Sequence, residues 1–72
     1  MIVYVDTEPT GSGSVLLFTG TEEETGDSIT FGVDHRPAGH LVDMIDEQGE
    51  VPCFVEDWQV IRRQKNTPRS LV

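Results

Sequence analysis

Asp34, His35, His40, Asp43 and Cys53 are the only cluster of catalytic or metal-ligating residue types that lie close together in this sequence. If the segment around them is helical, His40, Asp43 and Glu47 share a face at i, i+3 and i+7. That spacing sets a ring nitrogen beside two carboxylates, a donor set suited to a divalent cation. No ligand motif of recognised spacing surrounds it, and a helix face of this composition is ordinarily solvated. Asp34 is therefore expected to cap a helix, His35 to lie in its first turn, and no metal or other cofactor is expected.

A nucleophile needs a base and a setting that stabilises its anion. Cys53 sits between Pro52 and Phe54 in an apolar stretch, where cysteine behaves as a small hydrophobe. Its charged neighbours, Glu50, Glu56 and Asp57, disfavour a thiolate. The serines fall mainly in "GSGS" and at Ser28, without the strand–turn–helix context of a nucleophile elbow. "TGSGS" lacks the spacing of either glycine-rich phosphate fingerprint, has no lysine after it and leads into a strand. The pairs Glu56–Asp57 and Asp46–Glu47 lack an apolar pocket that would split their pKa values. The sequence reads as non-catalytic.

Charge is its strongest functional signal. Residues 1–61 hold all thirteen carboxylates against Arg36 alone, a net −12, whereas 62–72 hold Arg62, Arg63, Lys65 and Arg69, giving +4 and a total of −8. The simplest account has Arg62 and Arg63 closing the last strand on acids of its neighbour, with the remaining tail in solvent. Exposed pairs of that kind contribute only ~0–1 kcal/mol each. Three functional accounts compete with it. An interaction module would use the asymmetry to bind a protein partner or to self-associate. A nucleic-acid accessory protein would use Arg62, Arg63, Lys65 and Arg69, with Trp58 stacking on a base. An acidic mimic would occupy another protein's nucleic-acid site. A body at −12 repels phosphates, so the interaction module is the expected function and the nucleic-acid reading its alternative.

Seventy-two residues support at most one domain, near the lower size limit for a chain folding alone. The single cysteine precludes an internal disulfide and fits a reducing cytoplasm. Met1 followed directly by "IVYV" offers no basic or long apolar leader, so neither secretion nor a membrane is expected. One lysine, four arginines and abundant acids resemble a salt-adapted prokaryotic composition, in which hydrated carboxylates keep the surface soluble.

The elements that must position these residues follow from periodicity. "MIVYV" (1–5) and the two-sided apolar "SVLLFTGT" (14–21) read as strands. "SITFGVD" (28–34) alternates cleanly, and "EEETGD" joins it to its predecessor as a hairpin with Gly26 in the left-handed region. In 36–49 the apolar stripe Ala38, Leu41, Val42, Ile45 predicts a helix closed by Gly49; the rival is a second hairpin, 41–46 with 50–55. "VPCFV" and "WQVIR" complete the strands. The expected fold is α+β, an antiparallel sheet of four to five strands with one helix on one face; an all-β SH3-like barrel is the alternative. Residues 1–62 form the compact domain and 63–72 a basic tail. The expected core includes Ile2, Tyr4, Val15, Leu17, Ile29, Phe31, Val33, Leu41, Ile45, Val51, Cys53, Val55, Trp58 and Val60. For Trp58 the exposed centre of an interface is the alternative.

Overall fold

The alternation in 28–34 and the apolar run at 15–18 build the middle of a five-stranded sheet. The computed structural model describes residues 1–11 and 13–66. Its strands are β1 (Ile2–Val5), β2 (Val15–Glu22), β3 (Ser28–Asp34), β4 (Val51–Phe54) and β5 (Val60–Gln64). Helix α1 (His35–Gln48) lies between β3 and β4, and a single 3-10 turn, Asp57–Gln59, precedes β5. The strand order is β4-β1-β2-β3-β5, with every neighbouring pair antiparallel. The fold is α+β, and α1 excludes the all-β alternative.

Gly26 closes the β2–β3 hairpin at φ 75°, a conformation that costs glycine little, and its N–H donates to the Glu22 carbonyl at 2.9 Å. Gly49 ends α1 at φ 84°, donating to the Ile45 carbonyl at 2.8 Å. No acid lies in the first turn of α1 and no base in its last, so the helix dipole is left uncompensated. The helix is held by packing: Ala38 and Ile45 are buried on the sheet, with Leu41 and Val42 partly buried beside them.

The registers Val3↔Cys53, Val5↔Val51, Gly20↔Ile29 and Phe18↔Phe31 set one family of side chains on the helix-covered face. Val3, Val5, Phe18, Ile29, Phe31, Val51 and Val55 form the core with the helix, and the Phe18 and Phe31 rings stack at 5.9 Å between centroids. Several core expectations change as a result. Ile2 and Tyr4 lie on the uncovered face of β1, and Val3 and Val5 take the buried one. Val15 and Leu17 likewise face away from the helix, and Phe18 is buried in their place. The runs "IVYV" and "VLLF" are apolar at every position, so nothing within those runs fixes which parity turns inward.

The chain passes from β4 to β5, the two outer strands, through residues 55–59 alone. In a flat five-stranded sheet those edges would stand ~19 Å apart. A connection containing a 3-10 turn reaches only ~16 Å. The sheet must therefore curl, bringing the ends of β3 and β4 to opposite sides of one concavity. Gly20 lets β2 lie close against β1, since a Cβ there would collide with the Tyr4 carbonyl. Beyond that point Thr10 takes the place of β1 beside β2, exchanging backbone hydrogen bonds of 2.9 and 3.0 Å with Leu17.

The expected domain boundary at residue 62 falls inside β5. Arg63 and Gln64 are strand residues, paired with Ile29 and Ser28, and the Asn66 N–H donates to Asp27 Oδ1 at 2.8 Å. No helix among the described residues is long and apolar enough to cross a membrane.

Candidate functional site, an aromatic-lipped groove

The concavity between α1 and the 3-10 turn has a volume of about 390 Å³. Phe31, Gly32, Val33 and Asp34 of β3 line one side and Val51 to Phe54 of β4 another. Pro37, Leu41 and Met44 of α1 and Trp58 and Gln59 of the turn complete it. Pro37, Leu41 and Met44 recur at i, i+4 and i+7, so they form a narrow stripe beside the buried one. Alternation along β4 turns Val51 and Cys53 inward and leaves Phe54 73% exposed.

Trp58 is 81% exposed, which overturns its assignment to the core. The cause is local. Glu56 and Gln59 cap the 3-10 turn reciprocally, with the Glu56 N–H donating to Gln59 Oε1 at 2.9 Å. Gln59 Nε2 also reaches the Gly32 carbonyl at 3.4 Å, so the turn is anchored through Gln59 and the indole points outward. Sequence reasoning missed Phe54 and Met44, yet the period of two through Val51, Cys53 and Val55 already assigned Phe54 to the opposite side.

The basic residues divide. Arg63 donates through Nε to Asp27 Oδ2 at 2.8 Å and through its terminal nitrogen to Glu22 Oε1 at 2.5 Å. Both carboxylates are buried residues at the β2–β3 turn. The backbone N–H of Asn66, followed by Arg63, holds the Asp27 carboxyl below the usual carboxylate range. Arg63 itself is raised, first by its hydrogen bond to Asp27. This clasp ties the end of β5 to the hairpin and commits Arg63 internally. Among the described residues Arg62, beside Thr30 in the register, and Lys65 make no ion pair. Arg69 lies outside the described residues.

Asp34, His35, His40, Asp43 and Cys53 are not gathered into a site. Asp34 occupies the N-cap position of α1 but makes no side-chain cap bond. His35, His40, Asp43 and Glu47 are exposed along the helix, and no group of three metal-ligating side chains comes together among the described residues. Cys53 is half-buried, its thiol donates to the Val51 carbonyl at 3.7 Å, and burial pushes its pKa up. Such a thiol is a poor nucleophile.

The uncovered face of the sheet adds a second apolar area, where the Val15, Leu17 and Ile61 side chains crowd over Gly32. Tyr4, on the same face, donates its hydroxyl to Glu23 Oε2 at 2.7 Å, and that bond raises its pKa. No protein-family model, curated protein or solved structure matches this chain.

Proposed function

We propose that this protein is a non-catalytic binding module that seats part of a protein partner in the groove between α1 and the 3-10 turn. The observation that carries the proposal is the pair of large aromatics, Phe54 and Trp58, left in solvent on the lip of an apolar concavity. Full burial of side chains this size is worth ~1.5–3 kcal/mol each, so leaving both in water forfeits an appreciable share of a small domain's stability. Tryptophan in such a place is the residue type most enriched among interface hot spots.

A small-molecule site fits less well, since its walls enclose most of a ligand and here the wall aromatics are themselves mostly in water. The nucleic-acid reading is weakened by the engagement of Arg63 with Glu22 and Asp27, which removes one cation from a body already hostile to phosphate.

The test is affinity capture in native salt with the wild-type chain and a Trp58→Ala/Phe54→Ala double variant. Both side chains are exposed, so the variant is expected to keep its circular dichroism and melting profile. A partner held by the wild type and released by the variant supports the proposal. An identical set of retained proteins for the two refutes it.

A further inference from the structure

Resting on that reading, we infer that the groove recognises a basic protein segment, one bulky apolar side chain flanked by arginine or lysine. The apolar part follows from the floor, where Phe31, Val33, Leu41, Val51 and Cys53 meet. The basic part follows from the rim. Asp34 lines the groove, Asp57 precedes Trp58 in the turn at its lip, and Glu47 stands on α1 one turn beyond Met44. All three are exposed, and none makes an ion pair among the described residues. The cation nearest Asp34 in sequence is Arg36; Arg62 and Arg63 lie on β5 and Lys65 just past it, with Arg63 held by Glu22 and Asp27.

An apolar floor inside a rim of unpaired carboxylates specifies its occupant through two separable terms. The anchor side chain supplies buried area, and flanking guanidinium groups give charge-assisted hydrogen bonds and faster encounter. Nucleic acid meets the same rim with repulsion. A second copy of this chain brings a net −8 toward another −8, which disfavours pairing at low salt.

The experiment uses four synthetic peptides of equal length and the full chain. Three have a central phenylalanine, flanked respectively by arginine and lysine, by serine, or by glutamate; the fourth has basic flanks around a central alanine. Trp58, the only tryptophan, reports docking by its emission, and a labelled peptide reports it for Trp58→Ala. The basic phenylalanine peptide is expected to bind tightest, about tenfold or more above the serine-flanked one at ~0.1 M salt. That gap should close at ~1 M, where the Debye length is ~3 Å. Trp58→Ala is expected to weaken it about thirtyfold, as for an interface hot spot.

Equal binding of basic and serine-flanked peptides overturns the inference and leaves the groove reading intact. Equal binding of the phenylalanine and alanine basic peptides overturns the anchor. If no phenylalanine peptide moves the Trp58 emission, the groove reading itself falls, and this inference with it. A duplex oligonucleotide that moves the emission, or a dimer in sedimentation that Trp58→Ala abolishes, assigns the groove to a different occupant and overturns the basic segment.

Discussion

Replacing Phe18 and Leu17 separately by alanine tests which face of β2 is covered, on which the placement of the groove depends. The two are adjacent, apolar and point to opposite sides of the sheet. Phe18 is fully buried and stacks on Phe31, whereas Leu17 is half-buried among Val15 and Ile61 on the uncovered face. Removing a buried phenylalanine costs ~3–5 kcal/mol, with the lost ring pair inside that figure. For a half-buried leucine the loss is about 1 kcal/mol. A domain of this size has roughly 4–11 kcal/mol in all, so Phe18→Ala removes a large fraction of it. With a urea slope of ~1 kcal/mol/M, the two midpoints should differ by about 2 M or more. Urea titration followed by circular dichroism, in the salt that best stabilises the wild type, measures this directly. A Leu17→Ala variant as damaged as Phe18→Ala, or more so, would refute the assignment of faces.

Gly20→Ala is expected to destabilise by ~1–3 kcal/mol, because the added methyl meets the Tyr4 carbonyl and lies 2.8 Å from Val3 Cγ1. Gly39→Ala, with nothing within 4 Å of the new methyl, should stabilise by ~0.5–1 kcal/mol; paired thermal melts check both signs. Asp27 is depressed below its unfolded value of ~3.9, so its contribution is complete above that pH and is lost as pH falls through the lower folded value. The stability gap between wild type and Asp27→Asn should accordingly be flat above about pH 5 and shrink in acid, as read by urea midpoints across the range. A gap that grows on acidification contradicts the clasp.

The helix, the β2–β3 hairpin and Gly26 and Gly49 were legible because each rests on a local rule of periodicity or left-handed backbone. Strand facing was legible only where polar residues alternate with apolar ones. "SITFGVD" correctly turned Ile29 and Phe31 inward, but "MIVYV" and "VLLF" carry no such contrast. Trp58 was not legible, because hydrophobicity alone does not specify burial and the cap between Glu56 and Gln59 governs where the indole points. The groove is made of residues far apart in sequence and joined only by the curl of the sheet, which no short window contains. Arg63 was expected either to close the last strand on neighbouring acids or to reach a partner. The buried carboxylates at the hairpin are what hold it, and nothing in 22–27 advertises that Glu22 and Asp27 lose their solvent.

The five-residue bridge from β4 to β5 bears on how the groove would choose what it holds. The lip carrying Trp58 is a five-residue span joined at either end to the outermost strands and tied to the β3 backbone through Gln59, so it cannot move as a free loop. An oversized guest would have to break the Glu56–Gln59 cap and the bond from Gln59 to the Gly32 carbonyl to push the mouth wider. Under the proposed function such a socket would discriminate by gauge, gripping what fits and refusing what does not, where a loop-built site would remould itself around its visitor.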